Sequence, residues 1–368
     1  MWSSDRDDPT TPFLQSQRDW SADADERSGG VSFVRRIYSK QSLSVLDFGP
    51  ERVAVLIGEK KPDGTFHILG AGDSEARGVK DGEIVHLGDA VESAVQAIRT
   101  AEKAGGIKIR TLYINYDDPN VKSVKSRGSK ILKGEGEIQG SDIQEACETA
   151  ERLAAHFEKK PVYSKAISFL IDDRDLVSNP AGVFGRKLEA LVHLVQASSV
   201  SVEKWLRFIE RCGVKKGTLV FSAWSAAYSV LPKADREKKR LIVNMGRDFS
   251  QVFIFAQDRI MDYQCLSMKN KNLAERGTYL LKGVKELLDK HPDSEQVLAT
   301  GDFSKNEQAV LGLKELSVPF HPSGEASSLL GLLFVADELE KKRPILRRDK
   351  GLLTNVKEKA TAFINDYF

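Results

Sequence analysis

Asp47 and Asn244 each stand two residues before a glycine, Gly49 and Gly246, at the end of a short apolar run. A glycine turn closing a strand is one place where phosphate could be handled. Glycine lets backbone N–H groups approach phosphate oxygens, while an acid at the strand end holds Mg²⁺ through water. A third candidate is Gly301, which ends the run Val297-Leu-Ala-Thr. The neighbours work against this chemistry. Pro50 follows Gly49 and has no N–H to donate. Arg247 and Asp248 put side chains where backbone should face a phosphate. An aspartate ~4 Å from a phosphate at an effective dielectric of ~20 is repelled by several kcal/mol. Arg247 is the exception, since a guanidinium can donate to phosphate.

A second kind of chemistry is written at the other end. Leu352, Leu353, Val356, Ala360, Phe363, Ile364 and Tyr367 recur at helical spacing with Phe368 alongside, and Lys357 and Lys359 take the opposite face. From Lys341 onward there are eight Lys and Arg against three Asp and Glu. An apolar face with a basic flank suits an interfacial membrane anchor. It equally suits a helix packed on its own domain.

Composition limits the rest. The chain has 368 residues, 41% apolar and 29% charged, and a net charge of +2. Two or three domains are expected at that length, with no global field to recruit nucleic acid. Cys147, Cys212 and Cys265 stand apart, the six histidines are scattered, and no HExxH or EF-hand loop occurs. No metal site or disulfide framework is therefore expected. No apolar run reaches ~18 residues, and the polar N-terminus does not read as a signal peptide. A cytoplasmic chain is the expectation.

The elements that must position the glycines are two similar meanders. Leu43–Phe48, Arg52–Glu59 and Thr65–Leu69 read as strands broken at Gly49-Pro50 and Pro62-Asp63-Gly64. Leu241–Met245, Gln251–Ala256 and Ile260–Gln264 repeat the layout, with Asn244 opposite Asp47 in the alignment. Two such units suggest a duplicated, two-lobed α/β architecture. Helices are expected after Asp89, after Ser141 with Gln144 as a capping box, through Val202–Ile209, over Asn272–Lys290 and over Leu329–Leu339. Residues 1 to 30, with seven acids against three arginines, read as a disordered tail.

From about residue 43 onward the sequence resembles the FtsA family, the actin-like membrane adaptors of bacterial cell division. Five stretches carry the likeness: Leu46-Asp-Phe-Gly49; Arg77-Gly-Val-Lys-Asp-Gly-Glu-Ile-Val85; Ala101-Glu-Lys-Ala-Gly105 with Val124-Lys-Ser-Arg-Gly128; Asn179-Pro-Ala-Gly-Val-Phe-Gly185 with Leu188–Leu194; and the C-terminal helix. The resemblance implies an actin-like ATPase fold, a duplicated ribonuclease-H-like pair of lobes with a subdomain inserted in the first. The organisation expected is a tail and linker over 1–40, first lobe over 41–77, insertion over 78–170, first lobe again over 171–239, second lobe over 240–340, a basic linker over 341–350 and a membrane helix over 351–368.

It also implies ATP and Mg²⁺ at Asp47, Gly49, Asn244, Gly246, Arg247 and Gly301, and here the chain departs from the family. Pro50 replaces a hydroxyl residue, and Asn244-Met-Gly-Arg-Asp-Phe-Ser-Gln251 replaces a pattern like D-I-G-G-G-T-T-D. Only thirty-two residues separate Gln264 from Val297, too few for the extra subdomain that the family carries in its second lobe. The expectation is a pseudo-ATPase with weak or no ATP binding. By resemblance, Leu352, Leu353, Val356, Lys357, Lys359, Phe363, Ile364, Tyr367 and Phe368 bind the inner face of the cytoplasmic membrane at the division site. FtsZ or other division proteins are the implied partners, together with self-association. The missing subdomain is the one that receives FtsZ in the family. A PilM-like pilus-assembly adaptor and an active actin-fold ATPase are the alternatives.

Overall fold

The computed structural model describes residues 42–301, 313, 320–322 and 328–341. The first lobe is a five-stranded sheet built from β1 (Ser42–Phe48), β2 (Arg52–Lys60), β3 (Phe66–Glu75), β6 (Thr111–Tyr116) and β11 (Lys216–Phe221), in the order β11-β6-β1-β2-β3. β1 to β3 form the antiparallel meander, and β6 and β11 add parallel to β1. A short hairpin, β4 (Val79–Lys80) with β5 (Glu83–Ile84), leads into α1 (Leu87–Gly105). The alanine stripe Ala90, Ala94, Ala97 and Ala101 lets α1 lie flat against this sheet, where all four are fully buried.

The second lobe repeats the plan. β12 (Arg240–Met245), β13 (Phe249–Ala256) and β14 (Arg259–Ser267) form the meander, and β15 (Val297–Thr300) and β16 (Phe320–Pro322) add parallel, giving β14-β13-β12-β15-β16. The two glycine turns match in detail. The Gly49 N–H donates to the Arg52 carbonyl at 2.9 Å, and a Cβ on Gly246 would meet the Phe249 carbonyl, again three residues on. Between β14 and β15 stands one helix, α5 (Leu273–Lys290), capped by Asn272 and Glu275 as a reciprocal box. The second lobe is therefore short, as the spacing predicts.

The inserted subdomain is narrower and later than the expected 78–170. Its sheet is β7 (Lys122–Glu137), β8 (Lys159–Ile171), β9 (Asp175–Val177) and β10 (Phe184–Ser198), ordered β7-β10-β8-β9, with α2 (Gly140–Leu153) on one face. Residues 79–116 belong instead to the first lobe, because β6 pairs with β1 at Val45–Tyr113. Residues 184–198, expected to return to the first lobe, form the central strand of the insertion. α2 begins two residues earlier than the Ser141 box suggests. Its reciprocal cap is Gln139 with Asp142. α1 likewise starts before Asp89, which sits in its first turn.

α3 (Ser199–Arg211) and α4 (Ser222–Val230) complete the first lobe. A last helix, α6 (residues 328–341), was expected to belong to the second lobe but is shared by both. Leu329, Leu332, Leu333, Val335 and Ala336 bury into one cluster with Val45 and Leu56 of the first lobe and Ile242 and Phe253 of the second. Lys60 pairs with Asp337, and Tyr113 donates to Glu340. Burial of that many side chains, at ~1.5–3 kcal/mol each when complete, fixes the two sheets around one core. Among the described residues no helix is long and apolar enough to cross a membrane. The expected helix over 351–368 lies outside the described residues, as does the tail.

Candidate functional site

Asp47 ends β1 and Asn244 nearly ends β12, so the fold brings both to the mouth between the lobes. Asp47 accepts a hydrogen bond from the Ser328 hydroxyl at the start of α6. Asn244 lies opposite Gln251 in the hairpin register, and its Nδ2 donates to Gln251 Oε1 at 2.9 Å. Gln251 is itself 1% exposed, and its Nε2 donates to Ser222 Oγ at 2.9 Å. Ser222, the first residue of α4, donates to Asp117 Oδ1. One continuous chain of polar contacts, Asn244–Gln251–Ser222–Asp117, thus runs from the second lobe into the first.

Asp117 was not among the residues expected from sequence. It follows β6, whose parallel pairing with β1 and β11 brings its end to the mouth. Burial pushes its carboxyl up to about 7, opposed by the Ser222 hydrogen bond and reinforced by the nearby Asp47 and Asp118 charges. An available signal was the acidic pair Asp117-Asp118 closing an apolar strand before Pro119. Ligand sites in open α/β sheets gather at such strand ends.

The two glycine turns are joined across the mouth. Arg247 of the second lobe forms an ion pair with Glu51 of the first, which follows Gly49-Pro50. The Arg247 carbonyl accepts from Arg276 Nη1 at 2.6 Å. Lys269 and Asp81 make a further bridge between the lobes at 2.7 Å. Gly301 has φ +88°, and a Cβ there would come 2.7 Å from Asn244 Oδ1 and from the Met245 carbonyl. So Gly301 serves to let the β15 end close over β12, and all six expected residues do gather at one place.

These residues fit an Mg²⁺-nucleotide poorly. The amides of Asn244 and Gln251 are bonded to each other and to Ser222. Arg247, the one favourable cation, is held by Glu51. Among the described residues no group of three His, Cys, Asp or Glu side chains is arranged to hold a metal ion. An open cavity of about 670 Å³ lies at the opposite end of β1, lined by Ser42, Lys60, Lys108, Arg110, Tyr113 and Asp337.

A family model described as the SHS2 domain inserted in FtsA matches residues 119–196, the span of the β7–β10 subdomain. The cell division protein FtsA of Pseudomonas aeruginosa is 26% identical over 224 residues, covering 61% of this chain and 54% of its own length. The chain is thus similar to FtsA proteins, and its residues 119–196 match the domain inserted in them. FtsA of Escherichia coli K12 is 27% identical over 210 residues, 57% of this chain and 50% of that protein. The chain spans about half the length of the curated relatives it matches. Among solved structures, a PilM-PilN type IV pilus biogenesis complex superposes with a TM-score of 0.58 at 12% identity, covering 80% of this chain and 98% of that one. That likeness speaks to the fold, which is actin-like.

Proposed function

We propose that this chain is a non-catalytic cell-division adaptor of the FtsA type, with a cleft that holds its lobes together instead of turning over ATP. The observation that carries this reading is the closed polar chain from Asn244 to Asp117 beneath the Glu51–Arg247 bridge. The side chains of Asp47, Asn244, Gln251 and Arg247 are each bonded to a protein partner. A ligand entering must break several of these bonds, and a buried hydrogen-bond partner left behind costs about 1–3 kcal/mol.

Adaptors work by surfaces. The inserted subdomain is complete, with its own core around Ile138, Phe169, Leu188 and Val192. It is the part of the chain that the family model matches, which supports contacts with division proteins or with further copies of this chain. The single helix between β14 and β15 gives FtsZ less surface in the second lobe. Membrane attachment through Leu352, Leu353, Val356, Phe363, Ile364, Tyr367 and Phe368 rests on the pattern in the sequence. Deleting 351–368 is expected to abolish co-sedimentation at low concentrations of anionic liposomes while the melting temperature holds; unchanged co-sedimentation there refutes the anchor. Pull-down of the full chain against FtsZ tests the partner, and capture by a pilus-assembly protein in its place would favour the PilM-like reading.

A further inference from the structure

The junction between the inserted subdomain and α3 exposes side chains that a folded domain normally hides. Phe157 is 87% exposed, Leu153 70% and Val200 64%. They are not on a loose loop. Ser199 donates its N–H to the Glu158 carbonyl at 2.8 Å and its hydroxyl to the Phe157 carbonyl at 3.3 Å. Gln196 donates to the Ala154 carbonyl at 2.8 Å, and His156 stacks on the Phe157 ring at 5.0 Å. Lys160 pairs with Glu203 at 2.9 Å, tying the start of β8 to the second turn of α3. The phenyl ring is therefore held out into solvent on a fixed backbone.

α3 continues the surface. Val202, Trp205, Phe208 and Ile209 face the core, which turns Val200, Lys204, Arg207 and Arg211 outward in one stripe. Lys204, Arg207 and Arg211 make no ion pair among the described residues. Of the acids nearby, Glu203 is held by Lys160, and that contact keeps its carboxyl below the usual range; Glu210 stands at the stripe's edge. Val200 and the three cations thus share one face of α3, with Phe157 held at its start.

We propose that this face, Phe157 and Val200 with Lys204, Arg207 and Arg211, rests on an anionic lipid surface. Its shape favours lipid over an acidic peptide. The aromatic stands proud at 87% exposure, and the cations are spread along a helix. A fluid headgroup layer accepts protruding rings and spaced cations without needing a complementary shape. None of these residues lies within 351–368.

The test uses the full chain and vesicles of phosphatidylglycerol and phosphatidylcholine. Each Lys or Arg close to an anionic surface strengthens binding about fivefold, so K204Q/R207Q/R211Q is expected to bind about a hundredfold more weakly. Phe157→Ser is expected to weaken binding at unchanged melting temperature. Hydrogen exchange with vesicles should show protection over 153–160 and 199–207, and this protection should persist at raised lipid when 351–368 is deleted. Binding of the triple variant within threefold of the parent overturns the proposal. So does protection confined to other segments, or retention on an acidic peptide column with none on vesicles.

Discussion

Asp117→Asn removes one carboxylate from the middle of the interlobe chain and keeps the side-chain shape. The folded-state value is raised from 3.8 to about 7 by burial, so the folded protein holds this proton longer than the unfolded chain does. A raised acid lowers stability as pH climbs, starting above the unfolded value and levelling off past the folded one. Between pH 5 and pH 8 the shift amounts to about 2–3 kcal/mol lost by the parent and not by the variant. Urea unfolding at the two pH values reads this directly. Relative to the parent, D117N should gain roughly that amount of stability on going from pH 5 to pH 8. Parallel pH profiles for the two proteins would refute the claim that Asp117 is buried within a closed cleft.

Other expectations follow from the same core. Gly331 of α6 packs so closely on α4 that a Cβ would overlap the Ser225 carbonyl. Gly331→Ala should cost about 1–3 kcal/mol by forcing the shared helix off the core, read as a lowered urea midpoint. His193 bridges the insertion to the second lobe, with Nδ1 2.8 Å from the Ile260 carbonyl and Nε2 2.8 Å from Ser123 Oγ. Burial lowers its pKa. The neutral ring is favoured in the folded state, so stability should fall as pH drops through 6.5, and His193→Gln should flatten that fall in thermal melts. Arg247→Ala opens an exposed ion pair, and surface pairs contribute about 0–1 kcal/mol. Its melting temperature should barely move, while hydrogen exchange around 246–250 should quicken.

The meanders were legible because glycine turns punctuate short apolar runs, and the hairpin register then sets Asn244 across from Gln251. The insertion was harder to bound. β7 carries lysines and glycines along both faces, Lys-Ser-Val-Lys-Ser-Arg-Gly-Ser-Lys, and becomes a strand only by pairing along β10. Tertiary pairing overrides local propensity there. β6 was drawn into the insertion because six apolar-rich residues give no sign of which sheet they join; parallel pairing with β1 decides it. Asp117 escaped notice for the same reason, since its role appears only once β6 is placed beside β1. The shared position of α6 was also illegible: an almost wholly apolar helix can be buried between any two layers.

The account turns on whether the mouth between the lobes grips a triphosphate. Calorimetric titration of the full chain with Mg-ATP, run beside a phosphate-release assay, measures this most directly. The expected result is no micromolar binding and no release above background. Micromolar affinity with steady turnover would mean that the Asn244–Asp117 chain and the Glu51–Arg247 bridge open readily, and the adaptor reading of the cleft would be wrong.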